Sequence, residues 1–212
     1  SYAFPNAYLE TDEVPHRLPW ERVTAAIGLL GVSYFGLTIL ALSLFDTDYS
    51  PISQAASDYG VGRFAAEMNL GFLVGGIGLI AFAWSVGRKE SAVKSRSAGV
   101  LFLIAGLVLV VDSYFTATVE GAPATLHGTI HGFGGLLFFV TAPIGSILTS
   151  REFGKGALLA EVAGLAVGFI LLGGSPGLSG LAERLLLLVV FSTIVIVSSR
   201  LAGLKGGKLT PN

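Results

Sequence analysis

DSYFTATVEGAPATLHGTIHGFGGLLFF, residues 112–139, is the stretch whose reading decides the fold. It separates two apolar runs, 97–115 and 125–149, each long enough to cross a bilayer, which takes about 20 predominantly apolar residues. Pro123, Ala124 and Thr125 mark a helix start, with the Thr125 hydroxyl as the expected N-cap. The stretch reads as a hairpin between two membrane helices. Asp112 lies about one turn from the end of the first, while His127 and His131 lie in the first two turns of the second.

Composition agrees with this reading. Of 212 residues, 52% are hydrophobic and 13% charged, against roughly 25% charged in soluble domains. The mean hydropathy is +0.75. Glycine is abundant, at 29 residues, and small residues let membrane helices approach closely. The net charge of -1 favours no polyanionic partner, and no nucleic acid is expected. The absence of Cys excludes disulfides, thiolate metal sites, iron–sulfur clusters and thiol catalysis.

Outward from the hairpin, the pattern predicts an all-α, polytopic transmembrane bundle of six spans. Residues 1–19 form a polar N-terminal tail, 20–200 the membrane domain and 201–212 a basic C-terminal tail. The tail start lacks the basic and apolar regions of a secretory signal. Spans are expected over 22–45, 63–87, 97–115, 125–149, 157–172 and 181–197. The fifth is the shortest, and Pro143 implies a kink in the fourth. Ser50 and Pro51 open a short interfacial helix over 51–59, with Gly60 as its stop. Gly71 and Gly75 form a small-xxx-small face on the second span.

All but two of the 13 Lys and Arg residues fall on the side of the termini; Arg63 and Arg184 are the exceptions. The positive-inside rule then places both termini in the cytoplasm of a multi-pass cell-membrane protein.

On this topology Glu67, Asn69, Asp112, Glu120, His127, His131, Glu183 and Arg184 gather towards the outer face. Ionisable groups at the membrane boundary are costly and are kept for pairing or function. His127 and His131, four apart, share a helix face. With Asp112 they could supply three ligands to a divalent metal such as zinc and leave a fourth position for water. Glu67 or Glu120 would then be the general base. The competing reading is a packing surface in which the imidazoles bond to Asp112 and backbone carbonyls. Haem is not expected, because Met68 is the one candidate for a second axial ligand. No resident cofactor is expected otherwise. Arg63 and Arg184 could clamp a lipid phosphate or carboxylate, or pair with Glu67 and Glu183. Glu161, early in the fifth span, suits the helix dipole there. No GxSxG elbow accompanies Ser50, Ser53 or Ser57. Walker and Rossmann motifs are absent too.

The segments SPISQAASDYG (50–60), MNLGF (68–72), GTIHGFGGLLFF (128–139) and GLAERLLL (180–187) occur in an order that resembles the six-helix membrane family catalogued as domain of unknown function 998. The resemblance covers about residues 22–200, and its motif maps onto Gly128, His131, Phe138, Gly180 and Arg184. It implies the fold and a membrane location but supplies no activity. Tyr114-Phe115-Thr116 replaces the Phe-Pro found near the end of helix three in many members, and His127 is not carried over. More distantly, the arrangement is similar to the membrane zinc hydrolases of the alkaline ceramidase and adiponectin-receptor group. Those have seven spans and three histidines on two helices, whereas both membrane histidines here lie on one.

Three functions stay open on these residues. The first is a non-catalytic lipid-binding protein or accessory subunit, with membrane lipids and other membrane subunits as partners. The second is a metal-dependent hydrolase acting on a lipid at the outer leaflet. The third is a small transporter or proton relay.

Overall fold

A chain that exposes apolar side chains and buries polar ones needs lipid as its surroundings, and this chain is built that way. Leu30, Leu37 and Leu44 repeat every seven residues along an exposed face of the first helix, while Ser85, Ser146, Thr193 and Ser198 are buried. The computed structural model describes residues 19–88, 95–118 and 122–204, and every regular element among them is helical. The helices are α1 (Pro19–Phe45), α2 (Ala65–Gly87), α3 (Arg96–Asp112), α4 (Leu126–Ser150), α5 (Lys155–Gly174) and α6 (Ser179–Leu201). Five of them, α1, α2, α4, α5 and α6, are long and apolar enough to cross a membrane.

The short helix is α3, with 17 residues, and not α5, which has 20. Helix α5 begins two residues before its expected start because Gly154, at φ 95°, reverses the chain just before Lys155. Helix α3 ends at Asp112, three residues before its expected end, where the chain passes into turns that bond Tyr114 N to Val111 O. Thr125 caps α4 as expected, accepting from the Gly128 amide at 3.0 Å. Helix α4 runs unbroken through the buried Pro143.

Helices α1 to α4 pack in sequence order, and α6 closes the bundle against α1 and α5. Only Glu161, Leu165 and Gly168 of α5 are buried, so α5 is the most peripheral helix. The end of the bundle that carries residues 46–64 and the α3–α4 connection is called the outer end below. Lipid gives helices no hydrophobic incentive to associate, so close backbone packing must do it. A Cβ on Gly78 would stand 2.8 Å from Gly31 Cα across the α1–α2 contact, and one on Gly76 would stand 2.7 Å from Gly106 O across α2–α3. Gly71 and Gly75 instead make room for Phe35. The Phe35 ring packs on Phe72 at 5.1 Å and on Phe191 at 5.6 Å.

Gly78→Ala forces α1 and α2 apart, an overpacking cost of about 1–3 kcal/mol. Thermal unfolding in detergent should register the loss, whereas Gly132→Ala, in open space, should leave the midpoint unchanged or raise it.

Candidate functional site

The outer segment between α1 and α2 begins as a tight turn. Gln54 N bonds Ser50 O at 2.9 Å, Ser50 N bonds Gln54 Oε1 at 2.7 Å, and Ser53 N reaches Ser50 Oγ at 3.4 Å. A 3-10 helix, Ala56–Val61, follows. The continuous helix expected over 51–59 is therefore replaced by a turn and a 3-10 helix. Local side chains account for this, since Gln54 and Asp58 each return to a backbone amide, Asp58 to that of Ala55 at 3.0 Å. Beside the turn, burial pushes the Tyr49 phenol above its ordinary range, and Asp58, Asp46 and Asp48 add to the effect.

This segment is fastened to the first turns of α6. Ser179 Oγ donates to Ser53 O at 2.7 Å, and Leu181 N donates to Ile52 O at 2.9 Å. Glu183 Oε2 accepts from the Ala56 amide at 2.9 Å. Arg184 donates from Nη1 to Gln54 O at 2.9 Å and to Gly180 O at 3.0 Å, from Nη2 to Tyr59 Oη at 3.3 Å, and from Nε to Ser43 Oγ at 3.2 Å. Tyr59 is 1% exposed. Gly180 admits the segment, since a Cβ there would lie 2.2 Å from Gln54 O. Residues 46–64 thus form a fixed lid over the outer end.

Beneath the lid lies a cavity of about 50 Å³, bordered by Ala56, Asp112, His131 and Glu183 together with Phe35, Phe72 and Phe138. Asp112, in the last turn of α3, is 2% exposed. Its Oδ1 has no hydrogen-bond partner and stands 3.7 Å from His131 Nδ1. That nitrogen is 3.0 Å from the Phe115 carbonyl oxygen. A carbonyl can only accept, so Nδ1 carries the hydrogen. The Phe72 ring lies edge-on to the imidazole at 5.8 Å. Gly134, three residues after His131, clears the space for Asp112, whose Oδ1 would be 2.4 Å from a Cβ there.

The structure brings together Asp112, His131 and Glu183 at the cavity and places Arg184 in the lid clamp. It leaves other expected members apart. His127 is exposed and packs on the Tyr114 and Phe115 rings at 5.7 and 5.0 Å. Glu67 is exposed on α2. Asn69 is half-buried, its Oδ1 without a partner. Glu120 lies outside the described residues. Among the described residues no group of three His, Cys, Asp or Glu stands close enough to hold a metal. Asp112 and His131 are therefore joined without His127.

Two features escaped the sequence reading. Glu161 is buried rather than stationed at a helix end: Ser146 of α4 donates to one carboxylate oxygen, and Thr193 of α6 donates to the other at 2.6 Å. The hydroxyls on α4 and α6 were the available signal. The second is a groove of about 620 Å³ between α1 and α6, lined mainly by apolar side chains that include Val32, Leu37, Leu188 and Phe191. Arg184 and Ser43 sit at its outer end. Glu183 accepts from the Ala56 amide and makes no salt-bridge contact with Arg184, although the two neighbouring charges still attract each other. Among the described residues no carboxylate forms an ion pair with Arg184. Arg63 lies over the Phe64 ring at 5.2 Å.

A double-mutant cycle tests the fit of Asp112 to Gly134. Gly134→Ala should cost about 2 kcal/mol with Asp112 in place and close to nothing in an Asp112→Ala background. Equal costs in both backgrounds would show that the carboxylate does not require the glycine.

No match was found among curated proteins or among solved structures. Residues 25–200, most of the chain, match the family described as protein of unknown function DUF998, and the chain belongs to that family.

Proposed function

We propose that this protein is a six-span membrane protein that binds an anionic lipid in the α1–α6 groove, with Arg184 drawing the head group and the apolar walls receiving an acyl chain. The observation that carries this reading is a guanidinium with an unused N–H and no carboxylate in salt-bridge contact among the described residues, at the mouth of an apolar groove. Four of its five N–H groups are used within the chain, which leaves one on Nη2 for a ligand. From Ser43 to Val32 the groove follows α1 for about 16 Å, at 1.5 Å per residue. That is long enough for much of one leaflet's chain length.

The proposal includes the topology. Helix α3 is the sixth span, its 17 residues giving about 25 Å of helix, and Ser113–Phe115 add to its reach. The termini face the cytoplasm, following the bias of Lys and Arg towards that side. Support is weaker for the other readings. A metal hydrolase needs three ligands around one ion, and His127 is turned to Tyr114 and Phe115. The closely packed glycines of α1, α2 and α3 are used within the chain and do not speak for another subunit.

Gly36 lines the groove, and a Cβ there would meet only Phe191, at 3.7 Å. Gly36→Phe therefore fills the groove without touching the clamp. Native mass spectrometry of the purified protein should find a retained anionic phospholipid in the wild type and roughly tenfold less in Gly36→Phe, equivalent to about 1.4 kcal/mol. Equal retention in the two proteins would rule out the groove as the binding site. For topology, a fluorescent protein fused after Asn212 should fluoresce, and alkaline phosphatase inserted between residues 116 and 124 should be active. The reverse pattern would invert the assignment.

A further inference from the structure

The groove between α1 and α6 carries two hydroxyls far from its polar mouth. Ser33 on α1 and Ser192 on α6 both line it. Their depths match. Arg184 Nε donates to Ser43 Oγ at 3.2 Å, which sets the two helices in register at the mouth. Ser33 lies ten residues along α1 from Ser43, about 15 Å at 1.5 Å per residue, and Ser192 lies eight residues along α6 from Arg184, about 12 Å. Other hydroxyls in the helices are committed within the chain. Thr38, Ser43, Ser85, Thr141 and Thr149 each donate to a carbonyl four residues back. Ser146 and Thr193 donate to Glu161. Ser33 and Ser192 have no hydrogen-bond partner among the described residues. Ser33 is half-buried and Ser192 exposed, so neither is sealed from the groove. Hydrocarbon offers a hydroxyl nothing to bond, and leaving one there without a partner is costly.

Resting on the lipid reading of the groove, we propose that its ligand is a long-chain fatty acid hydroxylated near the middle of its chain. The carboxylate meets Arg184, and the chain hydroxyl meets Ser33 and Ser192. An extended chain of single bonds advances about 1.2 Å per bond, as an extended polypeptide backbone does, so a depth of about 12–15 Å corresponds to about 10–12 bonds from the carboxylate. A serine hydroxyl both donates and accepts, so the chain hydroxyl can give its hydrogen to one serine and take one from the other. The N–H left on Arg184 Nη2 gives the carboxylate a charge-assisted hydrogen bond. A plain chain fills the same walls but leaves both serines unpartnered. Deep in free hydrocarbon the chain hydroxyl has no partner either, so binding relieves ligand and protein together.

The test is displacement of radiolabelled stearate from the purified full chain in detergent by stearate, 12-hydroxystearate and 2-hydroxystearate. The wild type is compared with the Ser33→Ala/Ser192→Ala double variant, which cancels differences between the acids in their partition into micelles. The wild type should prefer 12-hydroxystearate over stearate by about tenfold, the scale of two neutral hydrogen bonds, and should show no such preference for 2-hydroxystearate. The double variant should bind stearate as the wild type does and lose the preference. Equal affinity of the three acids for the wild type, or a preference that persists in the double variant, would overturn the proposal; loss of stearate binding in Gly36→Phe would then show that the lipid groove itself stands. Stearate binding unchanged in Gly36→Phe would remove the groove and the proposal together. No saturable binding of any of the acids would overturn the proposal alone, since phospholipid retention tests the groove separately.

Discussion

Arg184 and Glu183, neighbours in the first turns of α6, hold a segment that lies more than 120 residues earlier in the chain. The guanidinium ties Gln54, Tyr59 and Ser43 to α6, and the carboxylate takes the amide of Ala56. Hydrogen bonds to charged groups contribute about 1.5–3 kcal/mol each, so this set outweighs the neutral contacts around it. Both recesses depend on it. The lid forms one wall of the Asp112–His131 cavity, and Arg184 itself closes the outer end of the groove. The clamp also joins α1 to α6, which closes the bundle.

A second polar tie serves the opposite half. Glu161 receives hydroxyls from α4 and α6, and apart from it only Leu165 and Gly168 of α5 are buried. In lipid, side chains that hydrogen-bond across helices can fix an element whose apolar faces gain nothing by leaving lipid. The molecule is therefore organised by a few buried polar groups and by close glycine contacts, with the apolar side chains largely turned outward.

The helices were legible because apolar runs bounded by charges and caps are a local signal; Thr125 capping α4 is an example. The Asp112–His131 pairing was legible from matched depth at the end of one helix and the start of the next. The fate of His127 was not. Four residues share a helix face but differ by about 6 Å in height, and that difference puts His127 beside Tyr114 and Phe115, a turn above the cavity. The partners of Glu183 and Arg184 are mostly backbone groups of a distant segment, and a sequence gives no sign of which amide or carbonyl will arrive there. Gly134 read as one more glycine in GFGG, and its purpose appears only once the Asp112 carboxylate is seen against it. Helix α3 read longer than it is because Ser113, Tyr114 and Phe115 continue the apolar pattern while the backbone has already turned.

The claim on which most depends is that the outer segment is locked to α6. Hydrogen–deuterium exchange of the protein in lipid nanodiscs measures it directly, through the amides of Ala56 and Leu181. In the wild type both should be strongly protected. In Glu183→Ala the Ala56 amide should exchange far faster, while the mid-helix amides of α2 stay protected. Rapid exchange at Ala56 and Leu181 in the wild type, matching that of an unstructured loop, would contradict the account.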